Sequence, residues 1–226
     1  MSKKNKKSET PAADSKPVEF QKTKSKTREY IESLIIAAII AFFVRSFFIQ
    51  AFKIPSSSME PTLLIGDHLL VNRLSYVMKV PFTDIVIFEL DKPNRGDVIV
   101  FRYPVDRSKD FIKRVIAREG DTVEIKDKTI YVNGKKMQDS WGYYSKEPAI
   151  PGFLSPKDNL QPVEVPKDSY FVMGDNRDRS LDSRFWGFVR KEDLVGKAFI
   201  LYFSWDKNSD NPLHYVRWLR ISRIIR

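Results

Sequence analysis

The chain has 226 residues, of which 42% are hydrophobic and nine are glycine. That is long enough for one domain with a real core, and its composition is that of neither a disordered nor a fibrous chain. The formal net charge is +10, but residues 1–28 hold nine Lys/Arg against three acids, which leaves only +4 for everything after them. A nucleic-acid-binding face on the folded part therefore has little support, and no nucleic-acid partner is expected. There is no cysteine, which excludes disulfides, thiol catalysis and cysteine metal sites. The two histidines, His68 and His214, have no metal-ligand spacing, so neither a metal nor a cofactor is expected.

Residues 1–29 are polar, rich in Lys, Ser and Thr, and without an apolar period. They read as a basic, disordered cytoplasmic tail. Then comes "YIESLIIAAIIAFFVRSFFIQAF", residues 30–52. Its uncharged stretch, Ser33–Val44, is short against the roughly 20 residues a membrane span needs. Running on through Arg45 to Phe52 supplies the length, with Arg45 snorkelling towards a headgroup layer. A buried helix of a soluble domain is the alternative, and the basic flank and the all-round apolar run argue against it. Bulky residues from Phe47 to Phe52 leave no small-x-small cleavage pattern behind the apolar run, so 30–52 reads as an uncleaved transmembrane anchor. Positive charge stays inside, which puts the N-terminus in the cytoplasm and residues 53–226 outside as a single-pass protein of the plasma membrane.

From there the pattern is β. "HLLVNRLSYV", "GDVIVFRYP", "DTVEIKDKTIYVNGKKM", "SYFVMGD" and "KAFILYFSW" are short β-branched and aromatic runs bounded by turn residues. Asn133-Gly134 suits the positive φ angles of a type I′ hairpin turn. Residues 138–168 carry five prolines and read as a loop-rich insertion. The expected fold is mainly β, with antiparallel sheets in a partly barrel-like sandwich on one N-terminal transmembrane helix.

Three stretches carry candidate chemistry. In "PSSSMEPTLLIGDHLLVN", residues 55–72, Ser58 is either a nucleophile or one of three hydroxyls that satisfy a turn. In "DFIKRVIAREGDTVEI", Lys113 shares a strand face with Phe111 and Val115. It is either a lysine pointing to water or an amine whose lost hydration lowers its pKa and makes it a general base. "GDNRDRSLDSRFWG", residues 174–187, is too dense in charges and hydroxyls for plain scaffold. A Ser-His-Asp triad competes poorly, because neither histidine lies in a recognisable motif and GxSxG is absent.

Taken together, "PSSSMEPTL", "RGDVIVFRYP", "KRVIAREGDTVEI" and "GDNRDRSLDSRFWG" resemble the ordered sequence boxes of bacterial type I signal peptidase, and the apolar segment resembles that family's membrane anchor. The resemblance covers most of residues 30–203 and implies a membrane-bound serine endopeptidase. Such an enzyme removes signal peptides from exported preproteins after small residues at −3 and −1, through a Ser/Lys dyad and an acyl-enzyme. It implies Ser58 as nucleophile, Lys113 as general base, Ser56 as an oxyanion donor beside the Ser58 N–H, and Ser180 as the hydroxyl that orients the lysine amine. Asp182 and Arg184 match the charged pair that supports the last box. Ile54, Pro55, Met59, Leu63, Phe111 and Ile112 are implied to line shallow apolar pockets, with ordinary core as the alternative for these side chains. Ser57 has no implied role and reads as turn scaffold. Arg179 departs from the Asn that many members carry. The implied partners are secreted preproteins, membrane lipid and the secretion machinery. Two rivals remain: a self-cleaving repressor with the same dyad, against which the anchor argues, and a non-enzymatic membrane-tethered scaffold. A scaffold has no reason to bring Ser58, Lys113 and Ser180 within hydrogen-bond reach.

Overall fold

A computed structural model describes residues 26–79, 85–209 and 215–225, so His214 lies outside the described residues. The chain divides into two units, 1–40 and 41–226. Most of helix α1, Lys26–Phe47, belongs to the first. Its apolar side chains, Leu34, Ile35, Ile36, Ile39 and Ile40 among them, are exposed. Among the described residues no helix is long and apolar enough to cross a membrane. The helix also stops earlier than the apolar run: Ile49–Lys53 is strand β1, paired antiparallel with β2, Asp67–Asn72. The alternation of IQAFK, with β2 available as a partner, overrides helical continuation there.

The second unit is built from antiparallel sheets. The remaining strands are β3 (Val77–Lys79), β4 (Val86–Glu89), β5 (Val98–Tyr103), β6 (Asp106–Arg118), β7 (Thr122–Lys126), β8 (Thr129–Val132), β9 (Lys135–Lys136), β10 (Leu160–Glu164), β11 (Ser169–Met173), β12 (Val189–Arg190), β13 (Leu194–Ser204) and β14 (Arg223–Ile224). The large sheet runs β1-β2-β13-β5-β6-β11-β12, with β14 added to β13; a second sheet runs β10-β7-β8-β9, and β3 pairs with β4. Every β run expected from the sequence is present, and β10 adds a strand inside the proline-rich 138–168 stretch. Asn133 and Gly134 both have positive φ, 54° and 72°, in the two-residue turn between β8 and β9, as a type I′ turn requires.

Both faces of the large sheet are covered, and the period-2 rule sorts its side chains between them. On β5, Val98 and Val100 join a cluster with Met59, Leu63, Leu69 and Leu201. Ile99 and Phe101 point the other way, to a cluster with Val115, Val172 and Leu194. On β11, Phe171 and Met173 meet Val123, Ile125 and Ile130 of the second sheet. β6 is an interior strand, flanked by β5 and β11, and it is buried over Lys113–Ala117 while its first half is exposed or half-buried. Lys113 stands opposite Ile99.

Candidate active site

Ser58 lies on the loop that joins β1 to β2. The loop closes at its base through the Ile54 N–H to the Asp67 carbonyl (2.8 Å) and the Gly66 N–H to the Ile54 carbonyl (3.0 Å). Met59 and Leu63, both without exposed surface, plug it into the core. Burying each such side chain stabilises the loop by about 2 kcal/mol. A turn, with the Glu60 N–H on the Ser57 carbonyl at 3.1 Å, then leaves the serines on the rim. Ser56 is exposed and Ser58 is buried to 8% exposure. Their hydroxyl oxygens are 3.5 Å apart.

Lys113 comes to the same place from the sheet. Its Nζ donates to Ser58 Oγ at 2.7 Å and to the Ile112 carbonyl at 3.0 Å. Only 3% of the residue is exposed, and among the described residues it has no ion pair. Phe111, on the same strand face, stacks on Tyr103 with centroids 4.2 Å apart. Burial pushes the Lys113 amine down from 10.5 to about 8; Asp182 and Asp175 pull it back up, and Arg184 helps to hold it down. Desolvation wins because neither carboxylate pairs with the amine.

The 174–187 segment explains why those carboxylates are held away. Arg184 takes both oxygens of Asp182, at 2.8 and 2.9 Å, and its other donors reach the Lys157 and Arg177 carbonyls. Arg114 takes both oxygens of Asp175, at 2.8 and 2.6 Å. Thr62, on the Ser58 loop, adds its hydroxyl to Asp175 at 2.5 Å. Asn176 clamps the serines directly: its backbone N–H donates to the Ser58 carbonyl at 3.1 Å and its side-chain amide to the Ser57 carbonyl at 3.2 Å. Gly174 is required by close approach, since a Cβ there would collide with Ser180 and with the Ser58 carbonyl.

The expected residues are brought together unevenly. Ser58, Lys113 and Ser56 converge, and Asp182 pairs with Arg184. Ser180 is buried beside Gly174, but its hydroxyl has no hydrogen-bond partner among the described residues. The bond to the lysine amine implied by the resemblance is not made, because Nζ is turned to Ser58 and the Ile112 carbonyl instead. Of the expected pocket residues, Pro55 is exposed and Phe111 and Ile112 are half-buried. Ile54, Met59 and Leu63 sit in the core, at 2%, 0% and 0% exposure, and present almost no surface to a ligand. His68 is edge-on to the rings of Tyr202 and Phe203, a structural role. Sequence reasoning missed Asn176, Asp175, Thr62 and Arg114. The charge density of "GDNRDRS" pointed at the region without saying which charges pair. Among the described residues no cluster of three or more His, Cys, Asp or Glu could hold a metal ion.

A hydroxyl hydrogen-bonded to a desolvated amine, on a rigid antiparallel scaffold, is the equipment of a hydrolase that needs neither histidine nor carboxylate to activate serine. Residues 27–205 match the family model of signal peptidase, peptidase S26. Signal peptidase I of Pseudomonas fluorescens is 38% identical over 208 residues, covering 78% of this chain and 72% of that protein. Signal peptidase I of Aquifex aeolicus (strain VF5) is 36% identical over 246 residues, with 84% and 91% covered. Signal peptidase I P of Bacillus subtilis subsp. natto is 34% identical over 188 residues, with 83% and 95% covered. The chain belongs to the signal peptidase family, peptidase S26, and is a hydrolase.

Proposed function

We propose that this protein is a membrane-anchored serine endopeptidase that removes N-terminal signal peptides from exported preproteins with a Ser58/Lys113 dyad. The observation that carries the reading is the 2.7 Å hydrogen bond between a buried, ion-pair-free lysine and the serine of "PSSSM". A preprotein lies across Ser58 as an extended strand, its −1 and −3 side chains towards Pro55, Phe111 and Ile112. Neutral Lys113 takes the Ser58 proton as Oγ attacks the carbonyl carbon. The oxyanion is held by the Ser58 N–H and by Ser56 Oγ. The lysine ammonium then protonates the departing amine, leaving the signal peptide esterified to Ser58. Lys113 next activates the water that hydrolyses the ester.

Membrane attachment is part of the same proposal. It is supported by the nine basic residues ahead of the apolar run and by the exposed apolar side chains of α1. The N-terminus is cytoplasmic, and the domain that begins at β1 faces outward from the bacterial plasma membrane. Membrane lipid and the secretion machinery are its expected neighbours.

The test is a full-chain digestion of a preprotein in detergent, beside Ser58→Ala, with a pH–rate profile on a peptide substrate. Processing disappears in Ser58→Ala, and kcat/KM rises with pH through an ionisation near 8 and levels off above it. Activity in Ser58→Ala above about a tenth of wild type removes the nucleophile. An ascending limb centred near 10.5, the ordinary lysine value, removes Lys113 as the base.

A further inference from the structure

Arg179 takes no part in the chemistry above, yet it lines a cavity next to the nucleophile. The cavity measures about 380 Å³ and is bounded by Glu60, Pro61 and Leu64 of the serine loop, by Tyr143 and Ser145, and by Asn176, Asp178 and Arg179. Its inner wall is one hydrogen bond from Ser58, because the backbone N–H of Asn176 donates to the Ser58 carbonyl. It shares no residue with Pro55, Phe111 and Ile112, the surface assigned to the acyl side of the substrate. A peptide laid across Ser58 with its acyl side on that surface leaves the cavity free for its leaving segment.

The charges of the cavity are not equivalent. Asp178 is neutralised by Lys157 at 2.9 Å and Lys128 at 3.7 Å, and it accepts the Ser145 N–H. Burial opposes its charge, but those contacts outweigh it and hold the carboxyl well below the usual range, so it is a fixed anion. Arg179 has an exposed side chain and, among the described residues, no ion pair. Its backbone is pinned by its N–H to the Asn176 carbonyl at 3.1 Å, which keeps its Cα at the cavity wall while the exposed side chain stays free to reach a ligand. A short-range cation at the mouth of such a cavity discriminates by charge.

We propose that this cavity receives the first residues of the leaving segment, and that Arg179 makes it prefer an acidic side chain there over a basic one. Glu60, also part of the lining, favours the ammonium that the departing segment acquires at its new N-terminus. Arg179 is a specificity residue and touches no reacting atom. The inference rests on the Ser58/Lys113 reading.

The experiment measures kcat/KM of the full chain in detergent on peptide pairs that differ only in Asp or Lys at the first, second or third residue after the cleavage point. The expected result is an Asp preference of about fivefold at one of these positions, the size of one exposed charge contact made and one repulsion avoided. Arg179→Glu should invert the preference and Arg179→Gln flatten it, and raised salt should weaken the wild-type ratio. Since the readout is a ratio within each variant, a partial folding defect cancels. An Asp/Lys ratio unchanged by Arg179→Glu at all three positions overturns the inference while leaving the dyad standing, whereas cleavage that survives Ser58→Ala removes the dyad itself.

Discussion

Lys113 and Arg114 are neighbours on β6 and point to opposite faces of the same strand, 3% and 0% exposed. Arg114 is saturated: both Asp175 oxygens, the Gly96 carbonyl at 2.6 Å, and the Trp141 ring 4.7 Å from its Cζ. Lys113 has a serine hydroxyl, one backbone carbonyl and the Phe111 ring 5.6 Å from its Nζ, none of them charged. A buried cation with a full set of acceptors is held charged and acts as a structural bolt. One given neutral partners only loses part of its reason to be charged, which suits the role of base proposed for Lys113. The two environments depend on each other. Arg114 and Arg184 occupy Asp175 and Asp182, the carboxylates that would otherwise restore the ammonium of Lys113.

The largest effect that separates the two sides is the loss of the lysine amine. Lys113→Met should lower kcat/KM by about 10,000-fold, because one group serves as both base and acid. The same variant should be more stable than wild type near neutral pH. Above 10.5 the lysine is neutral in both states. As pH falls towards 8 the unfolded chain takes up a proton that the folded one does not, so the folded state loses about 3 kcal/mol, and below 8 that loss stays constant. Methionine carries no such penalty. Urea unfolding at pH 7 and at pH 11 measures it: the advantage of the variant should be present at 7 and mostly gone at 11. Equal stability of the two proteins at pH 7 would mean that Lys113 is not desolvated.

Arg114→Met should behave in the opposite way. It strands Asp175 as a buried, uncompensated carboxylate, which costs about 3–5 kcal/mol. It also frees that carboxylate to raise the Lys113 pKa. Whatever folded enzyme remains should therefore show its ascending pH limb moved to higher pH. A stable Arg114→Met protein with an unshifted limb would break the division of labour between the two cations.

How much of this could be read from the chain follows the same split. Lys113 was legible, because an amine between Phe111 and Val115 in a strand is conspicuous and its box has a family precedent. The strands were legible from their β-branched runs and the Asn133-Gly134 turn. The bolts were not: Arg114 reads as one more strand arginine until Asp175 arrives from 61 residues away, and such pairings depend on register between distant strands. Helix α1 was expected to run on through Phe52, but β2 captures Ile49–Lys53. Met59 and Leu63 were expected at a substrate surface, but the loop needs them as its anchor in the core. The Ser180 bond is not made: Nζ lies on Ser58 and the Ile112 carbonyl, and the Ser180 hydroxyl has no partner among the described residues.

The smallest effect sits on the serine loop, where three consecutive hydroxyls are chemically identical and differ only in where the loop holds them. Ser58 Oγ is fixed by Lys113. Ser56 Oγ lies 3.5 Å from it on the exposed rim, within reach of the oxygen of a carbonyl under attack by Ser58. Ser57 acts through its backbone, its carbonyl accepting from Glu60 and Asn176. An oxyanion donor is used mainly in the transition state, so its removal should appear in kcat and only weakly in KM. Ser56→Ala should lower kcat by about 100-fold with little change in KM, and Ser57→Ala should be close to silent. The ratio between the two variants is the quantity to measure, because each removes one hydroxyl from the same turn and shares any general effect on the loop. If both lower kcat equally, the loss comes from a loosened turn and Ser56 donates nothing to the oxyanion. If Ser56→Ala raises KM and spares kcat, the hydroxyl binds substrate without favouring its transition state.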